Sequence, residues 1–284
     1  MTVRIEKAGK IGFCFGVRRA INIVEEVARK QGGVETLGAI VHNRPVLQKL
    51  AELGVKIAKS LDDIQGKVVV TSAHGVSPIV EEEIRAQGIG IVNTICPFVR
   101  RAQVVAHRLA ESGFFVIVYG DANHPEIKGV LGSANNRGVA ALDEAFIADF
   151  DRLPRHLGVL SQTTQIPAHF SQFVKKLIDS ALTKDSELRI IDTICHDIRE
   201  RQATALQLAN KVDLMLVVGG HSSANSHHLA ELCSTATTTY LVETADEIQP
   251  SWVEGQHHIG ITAGASTADQ TVDEVVARLE AMTW

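Results

Sequence analysis

The chain has no apolar run of about 18 residues, so nothing in it reads as a membrane-spanning helix. It has no excess of positive charge either. Against 28 Lys and Arg stand 33 Asp and Glu, a net charge of −5, which argues against a general nucleic-acid binder. The N-terminal stretch Met1-Thr-Val-Arg-Ile-Glu-Lys7 is mixed and polar and lacks the apolar segment of a signal peptide. Only four cysteines occur among 284 residues, and none forms a C-x-x-C pair, which sets aside the usual structural zinc site. So few cysteines in such a chain point to a reducing compartment, where thiolates stay available to metals, and a cytoplasmic protein is expected. Hydrophobic residues make up 45% and charged residues 21%, a balance that suits two or three packed α/β units.

Three of the four cysteines recur in one pattern. Cys14-Phe-Gly-Val17-Arg18, Cys96-Pro-Phe-Val99-Arg100 and Cys195-His-Asp-Ile198-Arg199 are each Cys-x-x-(Val/Ile)-Arg, and Thr94-Ile95 and Thr193-Ile194 precede two of them. The cysteines lie 82 and 99 residues apart, with 89 residues after the last. The chain therefore divides into expected α/β units at 1–95, 96–194 and 195–284. A lone cysteine in an apolar stretch is usually a small buried hydrophobe, and Cys233, on a helical apolar stripe outside the repeat, fits that description. Three cysteines in matching contexts do not, and three equivalent positions cannot pair off as disulfides. One thiolate from each unit points to a metal or an iron–sulfur cluster with one position left open.

Each third alternates short apolar strands with amphipathic helices. Val17, Ala20, Ile21, Val24 and Ala28 fall at helical spacing, as do Val99, Ala102, Ala106 and Leu109. Strands are expected at 36–41 and 67–71, at 114–119 and 157–160, and at 214–218 and 258–261. Continuous apolar strands between amphipathic helices indicate parallel sheets covered on both faces. In such sheets ligands sit beyond the carboxyl ends of the strands. All six of those ends lead into small, hydroxyl, amide or histidine residues at the starts of helices, whose N–H groups suit anions.

His42, His74 and His124 each follow a strand in the loop, where they can donate hydrogen bonds to phosphate oxygens. Ser223, Asn225 and Ser266 stand in equivalent loops; capping of the following helix is the simpler role for any one of them. Glu126 lies in His124-Pro-Glu126 at a helix start. A charged carboxylate there would repel an anion, whereas a carboxyl that holds and releases a proton would not, and Thr163 is placed to relay that proton.

Together these residues resemble the LytB/IspH family, the 4-hydroxy-3-methylbut-2-enyl diphosphate reductases of non-mevalonate isoprenoid synthesis. The motifs run nearly end to end: Gly12-Phe-Cys14-Phe-Gly-Val17, Val41-His42-Asn43, Ser72-Ala-His74-Gly75, Thr94-Ile-Cys96-Pro97, His124-Pro-Glu126, Gln162-Thr163-Thr164, Thr193-Ile-Cys195, Asn225-Ser226 and Thr262-Ala-Gly-Ala-Ser266. The resemblance implies a trefoil of three pseudo-threefold-related α/β units with small parallel sheets around a central [4Fe–4S] cluster. It implies that Cys14, Cys96 and Cys195 ligate the cluster and that Glu126 donates the proton. His42, His74, Ser223, Asn225 and Ser266 would bind the diphosphate, with His124 and Thr163 near the reacting end. The implied reaction removes the substrate's allylic hydroxyl as water, using two electrons from a donor such as ferredoxin or flavodoxin, and leaves isopentenyl and dimethylallyl diphosphate. No nucleic acid and no membrane enters it.

Two departures from the family pattern stand out. Ser223-Ala224-Asn225-Ser226 lacks the side-chain donor that the family commonly has at 224, and His196-Asp197 follows the third cysteine where small or hydroxyl residues are usual. Two other functions compete. A three-cysteine [4Fe–4S] dehydratase of the quinolinate-synthase type would need no external electrons. A non-enzymatic iron–sulfur sensor would need neither the anion-binding set nor Glu126.

Overall fold

The computed structural model describes residues 3–143, 154–181 and 185–282. Among them the chain forms twelve strands and ten α-helices, and the strands make three parallel sheets of four. The first strand is β1 (Arg4–Lys7). One sheet is built from β2 (Val34–Leu37), β3 (Val55–Ala58), β4 (Val68–Thr71) and β5 (Gly90–Asn93), in the order β3-β2-β4-β5. The next has β6 (Phe115–Tyr119), β7 (Gly138–Ala141), β8 (His156–Ser161) and β9 (Glu187–Ile191), in the order β7-β6-β8-β9. The last has β10 (Leu214–Val218), β11 (Thr238–Val242) and β12 (His258–Ala263), in the order β1-β12-β10-β11.

The same arrangement thus occurs three times, and in the last sheet the first strand of the chain takes the edge that β5 and β9 occupy in the other two. Arg4 pairs with His258 and Lys7 with Ile261. The expected unit 1–95 accordingly holds one complete sheet at 34–93, while its residues 4–7 complete the sheet of 214–263. A parallel strand with an open edge leaves a row of unpaired backbone groups, and β1 covers that row on β12. The strand expected at 36–41 ends at Leu37, because Gly38 turns the chain at φ +75°.

The six strands expected from sequence are the two inner strands of each sheet. Leu214-Met-Leu-Val-Val218 is buried along its whole length, as apolar runs covered on both faces must be. Leu214, Leu216 and Val218 pack with Ile259, Ile261, Val272, Val275 and Leu279 in one apolar cluster. Removing a side chain there, as in Leu216→Ala, would cost ~2–5 kcal/mol.

The helices are α1 (Phe15–Gln31), α2 (Arg44–Glu52), α3 (Pro78–Ala86), α4 (Pro97–Glu111), α5 (Pro125–Ser133), α6 (Pro167–Ala181), α7 (His196–Ala209), α8 (Ala224–Ser234), α9 (Pro250–Val253) and α10 (Asp269–Met282). Four of the longer ones (α3, α4, α5 and α6) open on proline, whose missing N–H costs nothing at a first turn. The chain separates into two compact units. One comprises Met1–Arg18, Val41–Glu52 and His196–Trp284, and the other Arg19–Ile40 and Leu53–Cys195. None of the described helices is long and apolar enough to cross a membrane.

Candidate active site

Each repeat cysteine immediately precedes a helix and is anchored by its own amide. Cys14 N–H donates to the Ala265 carbonyl at 3.0 Å, Cys96 N–H to Ala73 at 2.9 Å and Cys195 N–H to Thr163 at 2.9 Å. Each acceptor lies two residues beyond an inner strand: β12 ends at Ala263, β4 at Thr71 and β8 at Ser161. The sequence repeat is therefore also a repeat of backbone corners.

A second tie closes each corner. The Thr94 hydroxyl donates to the Thr71 carbonyl, and the Thr193 hydroxyl donates to the Ser161 carbonyl while accepting the Ser161 N–H at 2.9 Å. The Thr-Ile-Cys motif thus has a structural role, in which a hydroxyl two residues before the cysteine clasps the end of the neighbouring strand. At the Cys14 corner the corresponding residue is Gly12, which has no side chain. There Arg201 does the joining, with Nη2 donating to the Gly12 carbonyl at 2.9 Å and Nη1 to the Ala263 carbonyl at 2.8 Å.

The four cysteines all carry thiols. Burial pushes the Cys14 thiol above its ordinary pKa, and the Val17 N–H, 3.4 Å from the sulfur, pulls it part of the way back. Cys233 is 0% exposed among Leu208, Met215, Val217 and Leu229, and burial pushes its thiol up to about 12. That environment keeps it neutral, as the packing role expected for it requires.

The unit that holds Cys96 and Cys195 also contains His74, His124, Glu126 and Thr163. Glu126 is 1% exposed at the start of α5. Its Oε1 accepts the Thr163 N–H at 2.7 Å and its Oε2 accepts the Thr163 hydroxyl at 2.9 Å. Burial raises its pKa to about 7 despite both bonds, which favour the charged form. A carboxyl balanced there exchanges a proton readily at neutral pH. Its own N–H donates to His124 Nδ1 at 3.1 Å, so the neutral His124 ring carries its proton on Nε2. The His74 ring meets the His124 ring edge-on, with centroids 5.2 Å apart.

The other unit contains Cys14, His42, Ser223, Asn225 and Ser266. Ser223 caps α8, its hydroxyl accepting the Ser226 N–H at 3.4 Å. Asn225 is 4% exposed, and neither its Oδ1 nor its Nδ2 has a hydrogen-bond partner among the described residues. Buried amides are normally satisfied, so this side chain at a helix N-terminus leaves both of its polar atoms available to a water or a ligand. The Ser266 hydroxyl donates to the His42 carbonyl at 3.4 Å, which fixes the strand-end loop beside His42. Burial lowers the His42 pKa, keeping the ring neutral near pH 7. Gly220 has to be glycine, since a Cβ there would lie 2.4 Å from the His42 carbonyl oxygen. Apart from these residues, His221, Glu243 and Glu247 offer metal-ligand atoms at the surface, but His221 Nε2 is 2.8 Å from Glu247 Oε2 and Glu243 accepts the Arg44 N–H.

Sequence reasoning missed Arg201. It falls on the inward stripe of α7 with Ile198, Ala205 and Leu208, four residues after Asp197. A lone cation on an apolar stripe with an acid one turn earlier was the available signal.

A model of the LytB protein family matches residues 5–280. The 4-hydroxy-3-methylbut-2-enyl diphosphate reductase of Dehalococcoides mccartyi is 56% identical over 278 residues, covering 98% of this chain and 98% of that protein. The protein of the same name from Geotalea uraniireducens is 39% identical over 283 residues, covering 98% and 97%. Among solved structures, the E-1-hydroxy-2-methyl-but-2-enyl-4-diphosphate reductase from Plasmodium falciparum matches with a TM-score of 0.91 at 25% identity, over 98% of this chain and 88% of that one. A second solved structure, an (E)-4-hydroxy-3-methyl-but-2-enyl diphosphate reductase, matches with a TM-score of 0.68 at 33% identity, covering 98% and 99%. With the family model spanning nearly its whole length, the chain belongs to the LytB protein family.

Proposed function

We propose that the chain reduces 4-hydroxy-3-methylbut-2-enyl diphosphate to isopentenyl and dimethylallyl diphosphate, with Cys14, Cys96 and Cys195 as the ligands of a [4Fe–4S] cluster. The allylic C–O bond breaks, a C–H bond forms and water leaves. Two electrons come from an external donor of the ferredoxin or flavodoxin kind, and two protons are consumed. The donor set suits the cluster: three thiols are held in equivalent backbone corners, and the remaining thiol lies in an apolar core. When bound, the cluster supplies the electrons and an open iron that acts as a Lewis acid toward the leaving hydroxyl.

The chain's own residues do the rest. Ser223, Asn225, Ser266, His42 and the N-terminus of α8 bind and orient the diphosphate, joined by His74. His124 and Thr163 contact the reacting end. Glu126 delivers a proton to the departing oxygen or to the allylic carbon, and Thr163 aligns it through two hydrogen bonds. A reducing compartment such as the cytoplasm, where thiolates stay available, suits this chemistry.

The observation that carries this proposal is the connection from Glu126 to a cysteine. Thr163 receives the Cys195 amide on its carbonyl and binds both Glu126 oxygens with its N–H and hydroxyl. A buried acid with a pKa of about 7 is thereby linked through a single residue, Thr163, to the backbone of a proposed cluster ligand. The test is anaerobic purification with iron and sulfide analysis, followed by assay with a chemical reductant. Reductant-dependent loss of the hydroxyl is expected, with inorganic pyrophosphate as a competitive inhibitor. Turnover without reductant would favour a dehydratase instead, and equal turnover of the dephosphorylated diol would dismiss the diphosphate site.

A further inference from the structure

The Cys14 corner has to be held by a means that the other two do not need. Only two residues, Thr94 and Ile95, separate β5 from Cys96, and three separate β9 from Cys195. Six residues, 8–13, separate β1 from Cys14. A longer connection has more conformations to lose when its end is fixed. The clasp used elsewhere is also disfavoured at this corner. Gly12 sits at φ +78°, a backbone conformation in which a β-branched threonine is strained, and a Cβ on it would also have to push the Asp269 side chain aside.

We propose that Arg201 is a positioning residue for Cys14, replacing from α7 the threonine clasp that closes the Cys96 and Cys195 corners. The inference rests on Cys14 being a cluster ligand. The equivalence is positional: Thr94 reaches the last residue of β4, Thr193 the last residue of β8, and Arg201 ties Gly12 to Ala263, the last residue of β12. A guanidinium suits this position because its planar fork donates to two carbonyls at once, whereas an ammonium is a point charge. Arg201 is 0% exposed, and such a burial is tolerated only when the charge is paired. Asp197, one turn earlier on α7, supplies the counter-charge at 3.7 Å, and Lys10 reaches the same carboxylate at 3.1 Å. The 8–13 connection is therefore fixed at Lys10 and again at Gly12, immediately before the cysteine. The unusual acid after the third cysteine is explained as well: Asp197 neutralises the clamp of the first.

The test compares wild type, Arg201→Met and Arg201→Lys after anaerobic reconstitution. Three quantities are read: amide exchange over residues 8–15, amide exchange within β10 and β12, and the rate at which a chelator removes iron. For Arg201→Met, exchange over 8–15 and iron release should both quicken by about ten- to a hundred-fold, the effect of losing a hydrogen bond to a charged group, with β10 and β12 unchanged. Arg201→Lys should recover part of this, since it reaches one carbonyl at a time. Unchanged exchange over 8–15 would overturn the proposal. So would a uniform rise that includes β10 and β12, which would make Arg201 a general packing residue. If Arg201→Met does not fold, Arg201→Lys decides: intermediate exchange and iron release support the clamp, and wild-type values for both overturn it. Should wild type itself bind no cluster, Cys14 fails as a ligand, while exchange over 8–15 still reports whether Arg201 holds the loop.

Discussion

The Cys14 and Cys195 corners share one backbone geometry and bury opposite charges behind it. In both, the cysteine amide donates to a carbonyl two residues past an inner strand. Behind Cys14 that carbonyl belongs to Ala265, and the nearby buried ionisable group is Arg201, bonded to two carbonyls and paired with Asp197. Behind Cys195 the carbonyl belongs to Thr163, and the buried group is Glu126, which has two hydrogen bonds from Thr163 and no cation paired with it among the described residues. The first charge is a guanidinium held by two carbonyls and a counter-charge, so it is fixed and serves geometry. The second is under-compensated, so its proton is mobile near neutral pH, which suits chemistry. A repeated fold can thus keep its ligand corners equivalent and still assign different work to the groups that support them.

The largest effects should ignore this difference, since ligation treats the corners alike. Cys14→Ser, Cys96→Ser and Cys195→Ser should each abolish iron retention and turnover. Cys233→Ser should keep both and lose ~1–3 kcal/mol of stability, the cost of a hydroxyl in an apolar core. Iron analysis of the four variants checks this, and an iron-loaded Cys195→Ser beside an iron-free Cys233→Ser would undo the equivalence.

Glu126→Gln addresses the difference directly. The amide keeps size and hydrogen-bonding capacity but has no proton to give at neutral pH. Turnover should fall by about a hundred-fold or more, the contribution of a positioned acid, with cluster loading intact and substrate affinity near that of wild type. Wild-type turnover would end the candidacy of Glu126, and loss of the cluster would make its role structural.

Stability against pH gives an independent measure of the same group. The native pKa of Glu126 is raised to about 7 from an ordinary value of 4.5. Below 4.5 the carboxyl is protonated in both folded and unfolded chains. Between the two values the unfolded chain has released the proton and the native one has not, so stability falls as pH rises and levels off above the native pKa. The loss attributable to Glu126 is roughly 3 kcal/mol over that window. Urea unfolding of wild type and Glu126→Gln at stepped pH isolates it, since the variant should lack this component of the slope. An unchanged slope would show that Glu126 ionises normally.

The sequence carried the inner strands and the cysteine repeat, because each has a local signature. Val68-Val-Val-Thr71 and Leu214-Met-Leu-Val-Val218 are continuous apolar runs, as strands covered on both faces must be. The outer strands Arg4-Ile-Glu-Lys7 and Val55-Lys-Ile-Ala58 expose part of their length and mix charge with apolar residues, which erases that signal. The pairing of β1 with β12 joins residues from opposite ends of the chain. Nothing local records such a partnership, and a division of the chain by cysteine spacing therefore places residues 4–7 apart from the strand they pair with. Arg201 escaped notice for a related reason: a charged residue within a helix reads as a solvated face until the other side of the corner is seen. Thr94 and Thr193 were visible only as repeat markers, since their partners are carbonyls, which no sequence pattern displays.

The smallest effect distinguishes the two threonine corners from each other. The Thr193 hydroxyl makes two hydrogen bonds to Ser161, one with its N–H and one with its carbonyl, whereas the bond from the Thr94 hydroxyl runs to the Thr71 carbonyl. Valine has nearly the shape of threonine, so Thr→Val removes the hydroxyl without opening a cavity. Both side chains are buried, and the groups left behind have little access to water. Each lost buried partner costs ~1–3 kcal/mol at most. Thr193→Val should therefore cost more than Thr94→Val, and both should speed iron release less than Arg201→Met, because a neutral hydroxyl is a weaker donor than a guanidinium. Urea midpoints and chelator kinetics on the three variants give the order. If Thr94→Val released iron faster than Arg201→Met, the Cys14 corner would not depend on its buried charge, and the contrast between fixed and mobile charge would reduce to Glu126 alone.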